Sequence, residues 1–263
     1  VQMGARVVLI EGAEMGGDCL NAGCVPSKAL IAAAEAAQAQ RGSTRFGIAA
    51  VEPAVDFGAV KDHVAGVIAG IAPVDSQERF EGLGCVVIRD WARFTSPKAV
   101  EAGGKRIVAR RFVIATGSRA VVPPVPGIDA VPYMTNETVF DLRERPGHLL
   151  ILGGGPIGME MAQAHRRLGC DVTVIEAGRA LGREDPEAAA VVLERLRAEG
   201  VRIAEGQGVV RLRGLEPGVE AVLADGTVIT GTHLLVAAGR KVMLEGLGLE
   251  AAGVAHDAKG VTV

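Results

Sequence analysis

Apolar residues recur along this chain in strand-like and helix-like patterns by turns, and that alternation predicts a fold of mixed strands and helices. Arg6-Val7-Val8-Leu9-Ile10-Glu11 is an apolar run closed by an acid and predicts a buried strand, while residues 1–5 read as the tail of a helix. Residues 27–40 are nearly all alanine or apolar, which predicts a helix with little wet face, buried beneath a ligand. After a looser connection over 41–56, residues 57–81 predict one long helix of mixed character, with Lys61 and His63 solvated. A short strand over 84–90 follows, then alternation over 91–108 around Gly103-Gly104, the pattern of a β-meander. Residues 112–118 predict a core strand that empties into the small-residue turn Ala115-Thr116-Gly117-Ser118.

The proline-rich segment 121–127 is too stiff and too poor in N–H donors for helix or sheet, so it marks a domain boundary. Beyond it the plan repeats. Residues 148–152 predict a strand, 157–168 a helix, and 170–176 a second strand that ends in Glu176. An amphipathic helix over 186–200, a meander over 201–223 with a turn at Asp225-Gly226, and a core strand over 233–238 ending in Gly239-Arg240 complete the pattern.

Composition narrows the class. The chain has 263 residues, 49% hydrophobic and 22% charged, which suits a globular protein with a large core and room for two domains. A net charge of −3 gives no electrostatic footprint for nucleic acid or a membrane surface. The expected partners are small molecules. No uninterrupted apolar run reaches the roughly 18 residues of a spanning helix. Four cysteines (Cys19, Cys24, Cys85, Cys170) are too few for a secreted disulfide scaffold, and cytoplasmic residence is the default expectation.

Two stretches carry chemistry. In Gly16-Gly17-Asp18-Cys19-Leu20-Asn21-Ala22-Gly23-Cys24-Val25-Pro26-Ser27-Lys28, two cysteines stand five positions apart in a glycine-rich run. Positions five apart on a straight helix lie about 7.5 Å along the axis and on different faces, beyond the roughly 6.8 Å that a disulfide spans between Cα atoms. A bond between them needs an irregular turn, which Asn21 and Gly23 permit. The pair reads as a redox disulfide, against the alternative of two buried structural thiols; Cys85 reads as packed and inert.

The second stretch is a strand, then Gly153-Gly154-Gly155-Pro156-Ile157-Gly158, then a helix, then Glu176 at 23 residues beyond Gly153. This is a dinucleotide-binding fingerprint: glycines allow close approach of a pyrophosphate to a helix N-terminus, and the acid holds a ribose hydroxyl. Pro156 is tolerated in the first turn. Glu176 would repel a 2′-phosphate, which favours NADH over NADPH, although Arg179 and Arg183 pull the other way. Glu11 matches the same acid in an earlier unit whose glycine turn is expected upstream of Val1. The expected fold class is therefore α/β, with two Rossmann-like dinucleotide-binding domains over 1–145 and 146–263, each with a small β-meander.

Residues 16–28, Ala115-Thr116-Gly117-Ser118, 153–160 and Ala237-Ala238-Gly239-Arg240 together resemble the pyridine nucleotide-disulfide oxidoreductases, in the family's order. Dihydrolipoamide dehydrogenase and mercuric reductase are the members it is most similar to. The resemblance implies FAD and NAD(P)H as cofactors, with Cys19 as the interchange thiol and Cys24 as the thiol beside the flavin. Lys28 and Glu160 would form a buried ion pair next to the flavin. Glu11, Gly16, Gly17, Asp18, Ala92, Thr116, Gly117 and Ser118 would bind FAD. Gly153, Gly155, Pro156, Ile157, Gly158, Glu176, Val209 and Gly239 would bind the nicotinamide nucleotide, and no metal site is implied. Electrons would pass from NAD(P)H through flavin to Cys24 and out through Cys19, to a small disulfide or dithiol or a thiol-bound Hg(II). The resemblance further implies a homodimer whose dimerisation domain, with its catalytic base, lies beyond Val263. Asp18 stands where members often carry Thr, and Arg240-Lys241-Val242 where many carry Arg-Pro-Asn. The competing readings are a non-catalytic dinucleotide-binding module and a zinc site, the latter weakened because zinc takes about four ligands and no partner pair accompanies the two cysteines.

Overall fold

The computed structural model describes Val1 and residues 3–262. These fall into two compact units, each assembled from separated stretches of chain. One takes Val1–Asn21, Ile68–Arg119 and the chain from Arg240 onward; the other takes Ala22–Val67 and Ala120–Gly239.

The second unit is built on a four-stranded parallel sheet in the spatial order His233–Val236, His148–Leu152, Asp171–Glu176, Arg202–Glu205. Parallel strands of this kind are covered on both faces and read as continuous apolar runs, and Leu149, Leu150 and Ile151 are accordingly 0% exposed. The helix Pro156–Arg167 crosses between the first two sequential strands and buries Met159, Met161, Ala162 and Ala164. Leu150 and Leu152 join a different cluster, with Leu212, Val219, Ala221 and Leu223 of the antiparallel strands Val209–Leu215 and Gly218–Leu223. Each fully buried aliphatic side chain contributes about 1.5–3 kcal/mol. The helix Cys24–Arg41 packs against Pro156–Arg167.

The first unit has a smaller framework. Val8–Ile10 pairs in parallel with Val86–Ile88, and Arg93–Ser96, Ala99–Ala102 and Lys105–Val108 form the expected meander. Phe94, Val100, Leu247 and Leu249 make its core, with Phe112 edge-on to Phe94 at 5.0 Å. The strand Ser118–Ala120 pairs with Arg240–Val242.

Several expectations are corrected. The strand near the start is only three residues long, pairs among the described residues with Val86–Ile88, and leaves Val8 39% exposed. Met3 and Gly4 form a turn rather than a helix end, and Gln2 lies outside the described residues. The helix Cys24–Arg41 has a wet face: it buries Pro26, Ala29, Leu30, Ala34 and Ala37, one stripe at helical spacing, and exposes the opposite side. The long helix over 57–81 is broken into Phe57–Ile71, a 3₁₀ turn Ala72–Asp75 and Gln77–Gly82, since Pro73 cannot continue it. By length and composition alone Phe57–Gly82 could cross a bilayer, but its Phe57, Lys61 and Val64 stripe is buried in protein. Among the described residues, 112–117 belong to no strand; Phe112 and Ile114 pack inward while Val113 is 91% exposed, and the Gly117 carbonyl accepts from Met243 N at 3.0 Å. Arg202–Glu205, expected in the meander, belongs to the parallel sheet.

Candidate functional site

The chain resolves the five-residue cysteine spacing by ending one helix, Gly17–Asn21, and starting another, Cys24–Arg41. Gly23 between them adopts φ −128°, ψ −113°, outside regular helix and strand, and Cys19 and Cys24 are joined as a disulfide. Both cysteines are exposed, so the alternative of buried structural thiols does not hold. Asn21 Nδ2 donates to the carbonyls of Met15 at 3.1 Å and Gly17 at 2.8 Å, which ties down the turn before the pair. Gly16 has φ +84°, and a Cβ there would meet Leu20 Cδ2 at 2.3 Å. Asp18 is not left unpaired: Arg240 Nη2 donates to its Oδ2 at 2.6 Å.

Within the second unit Lys28 Nζ donates to Glu160 Oε1 at 2.7 Å, joining the two packed helices. The pair forms as expected, but it is not buried: the side chains are 59% and 41% exposed. Lysine keeps its charged head in water when its stem lies along a helix surface, and an exposed pair of this kind contributes about 0.2–1 kcal/mol.

The fingerprint glycines are required by contact. Gly153 turns at φ +112°, and a Cβ there would sit 2.3 Å from the Ala237 carbonyl oxygen. A Cβ on Gly158 would sit 2.1 Å from the Gly153 carbonyl oxygen, so only glycine lets the helix start this close to the strand end. Gly155 has open space at its Cβ position, and Ile157 beside it is 38% exposed. The opening of the 12-residue helix Pro156–Arg167 thus presents unpaired backbone N–H groups where an anion can approach. Glu176 accepts from Gly154 N at 2.7 Å through Oε2 and from Gly178 N at 2.8 Å through Oε1. A carboxylate has about four lone-pair sites, so it retains acceptor capacity for a ribose diol. Val209 is half-buried on the adjoining meander, and Gly239 has φ +138° with open space around it.

The first unit carries a counterpart. Glu11, at the end of its strand, accepts from Ala13 N at 2.7 Å through Oε1, as Glu176 does from Gly178. Arg89 Nη2 donates to the Ala13 carbonyl and Nη2 lies 3.7 Å from Glu14 Oε2. The Trp91 ring lies so close to Gly12 that a Cβ would meet it at 2.7 Å. Ala92 packs on the Phe94 core. Thr116 is exposed, Gly117 has φ +70°, and the Ser118 hydroxyl and carbonyl both accept from Arg240.

One buried polar group is opposite to expectation. Lys61 is 2% exposed, its Nζ donating to the Val139 carbonyl at 2.9 Å and lying 5.2 Å and 5.7 Å from the ring centres of Phe57 and Phe140. Burial pulls its pKa down to about 8, opposed by the Asp141 carboxylate. His165, near Phe57, is fully buried; burial, with the Lys61 charge, lowers its pKa to about 4, and among the described residues its Nε2 has no hydrogen-bond partner. Burial raises the Cys170 thiol to about 12. The spacing of Phe57, Lys61 and Val64 at i, i+4 and i+7 was the available signal for this buried stripe. A groove of about 430 Å³ between His148, Thr173, Arg202 and Thr230 opens at the end of the sheet opposite the glycine turn and carries none of this chemistry.

The profile of the pyridine nucleotide-disulphide oxidoreductases matches residues 1–263. The chain belongs to the pyridine nucleotide-disulphide oxidoreductase family. It is 38% identical to a mercuric reductase of Streptomyces lividans over 99% of its length and 57% of the relative's. It is 37% identical to a dihydrolipoyl dehydrogenase of Thermus scotoductus, over 98% of the chain and 57% of that protein. The HOCl-induced flavoprotein disulfide reductase RclA from Escherichia coli superposes with a TM-score of 0.84 at 31% identity, covering all of this chain and 57% of RclA. The chain thus spans little more than half the length of these relatives. Membership of the pyridine nucleotide-disulphide oxidoreductases accounts for the coexistence of a cysteine pair and a dinucleotide fingerprint in one chain.

Proposed function

We propose that the full-length protein is an FAD-dependent oxidoreductase that passes electrons between NAD(P)H and the Cys19–Cys24 disulfide, and from there to a small disulfide or dithiol or a thiol-bound Hg(II). The observation that carries this reading is an exposed disulfide, held in a glycine-framed turn, on a chain that also presents a complete dinucleotide fingerprint. Similarity to a mercuric reductase and a dihydrolipoyl dehydrogenase at nearly equal identity supports the class and leaves both substrate types open.

The residues fit the cofactors the family uses. Gly153 and Gly158 hold the turn where no side chain fits, leaving the helix N-terminus open to a pyrophosphate. Glu176 accepts the ribose hydroxyls and favours NADH, because a 2′-phosphate would meet its carboxylate. Residues 1–145 would form the FAD domain, with Glu11, Gly16, Gly17, Asp18, Ala92, Thr116, Gly117 and Ser118 against it, and residues 146–263 the nicotinamide-nucleotide domain. Bound flavin supplies hydride acceptance and thiol-directed electron delivery; the protein supplies position. Cys24 takes the electron pair on the cofactor side, Cys19 is released as the thiol that meets substrate, and the Lys28 ammonium, paired with Glu160, favours anionic sulfur at Cys24. We further assign a homodimer and cytoplasmic residence to the full-length protein.

The test is anaerobic titration of the full-length protein with NADH, followed by absorbance. The reading requires a flavin spectrum and, after two electrons, a long-wavelength thiolate-to-flavin band. Cys24→Ser removes that band, whereas Cys19→Ser gives it without reductant. A protein with no flavin, or equal bands in both variants, contradicts the reading.

A further inference from the structure

Arg240 makes contacts that none of the roles above uses. Its Nε donates to Ser118 Oγ at 2.8 Å, and its Nη2 donates to the Ser118 carbonyl and to Asp18 Oδ2, both at 2.6 Å. Two of these bonds clamp the guanidinium onto the strand Ser118–Ala120, with which Arg240–Val242 already pairs, and Met243 N adds a bond to the Gly117 carbonyl at 3.0 Å. The side chain is only 24% exposed. Its remaining contact is aimed at the residue directly before Cys19, in the short helix Gly17–Asn21. A planar guanidinium serves two acceptors in fixed directions, which a lysine ammonium does not reproduce.

A carboxylate beside a thiol disfavours the thiolate, and the thiolate is the nucleophile in thiol chemistry. Here the residue directly before Cys19 carries a carboxylate that comes with its own counter-ion, delivered from a strand more than two hundred residues later in the chain. We propose that Arg240 is a positioning residue for the redox pair: through Asp18 it offsets the negative charge beside Cys19 and holds the turn that carries it. The inference rests on Cys19 acting as a redox thiol. Reduction of the disulfide by two electrons and two protons breaks the S–S bond and yields two thiols; the Cys19 thiol then passes its proton to solvent, and the neutralised Asp18 eases that loss.

The test uses the full-length, FAD-loaded protein reduced with dithiothreitol, so it does not depend on NADH as electron source. The pH dependence of iodoacetamide alkylation is read at the Cys19 peptide by mass spectrometry. Arg240→Gln is expected to raise the Cys19 midpoint by about one pH unit, and Arg240→Lys, which keeps the charge, by less. Adding Asp18→Asn to Arg240→Gln is expected to return the midpoint to the wild-type value. Asp18→Asn alone, which leaves the guanidinium without its carboxylate, is expected to lower it, and this variant keeps the test decisive if Arg240→Gln does not fold. An unchanged midpoint in Arg240→Gln, a raised one in Asp18→Asn, or a double variant that keeps the whole shift overturns the proposal. These shifts together with a disulfide that NADH fails to reduce would instead overturn the assigned electron source.

Discussion

The segments around Glu11 and around Glu176 carry the same local chemistry on unequal supports. In each, the acid closing a strand accepts the N–H of the residue two further on, Ala13 in one and Gly178 in the other. Behind Glu176 stands a four-stranded parallel sheet with Leu149, Leu150 and Ile151 wholly buried. Behind Glu11, among the described residues, stands a three-residue strand paired with Val86–Ile88, and Val8 is 39% exposed. A few residues are enough to specify the acid-capped turn, whereas the rigidity of that turn comes from the layers packed on either side of the sheet. A site that must hold a dinucleotide at fixed distance needs both.

The largest effect should separate the two supports by stability. Ile151→Ala is expected to cost about 2–5 kcal/mol in urea unfolding, while Val8→Ala, at a site 39% exposed, costs under about 1 kcal/mol. Equal losses would break the comparison. The second effect is a pH dependence confined to the better-supported unit. Lys61 has a folded pKa of about 8 against an ordinary 10.5, so between those values the unfolded chain binds more protons and stability rises with pH. Above about pH 9 the Cys170 thiol, raised to about 12 by burial, pulls the other way, so the Lys61 effect is read between about pH 8 and 9 as the difference between wild type and Lys61→Met, where a rise on the order of 1 kcal/mol is expected; no difference between the two curves over that range contradicts the burial of this ammonium.

A third test compares glycines. Gly158→Ala places a methyl 2.1 Å from the Gly153 carbonyl oxygen, so the turn must shift, with a loss of roughly tenfold or more in NADH affinity. Gly17→Ala meets open space and pays only for its positive φ, about 1 kcal/mol. The smallest effect is at the acids. Glu176→Gln keeps the shape but turns one of the two acceptor oxygens into an amide NH2, so one of the bonds from Gly154 N and Gly178 N is lost; it should relax the preference for NADH over NADPH by several-fold while lowering stability by about 1 kcal/mol. Equal discrimination in Glu176→Gln and wild type would remove Glu176 from nucleotide choice.

What was legible in the sequence follows the same divide. The turn at 153–158 and the acid at 176 are local features, set by glycines and an apolar strand within about thirty residues, and they stand where the spacing placed them. The cysteine pair was legible because its spacing conflicts with a regular helix, and Gly23 resolves the conflict. Lys61 stands in the stripe of Phe57 and Val64 at helical spacing, yet a lysine reads as solvated there because the partner that lets it be buried, the Val139 carbonyl, is 78 residues away. Residues 112–117 have the composition of a core strand, yet a strand exists only where a neighbour offers a ladder. The Lys28–Glu160 pair was foreseen in identity but not in exposure, since exposure depends on what lies over two packed helices. Asp18 departs from the Thr that members often carry, and its partner Arg240 stands 222 residues further along the chain, beyond the reach of any local pattern.

We propose that the nucleotide site of this chain feeds its disulfide. Counting free thiols at Cys19 and Cys24 by mass spectrometry, after one equivalent of NADH is added anaerobically to the full-length FAD-loaded protein, tests it most directly. Both cysteines are expected to become free while Cys85 and Cys170 are unchanged; an intact Cys19–Cys24 disulfide after NADH is consumed would contradict the proposal.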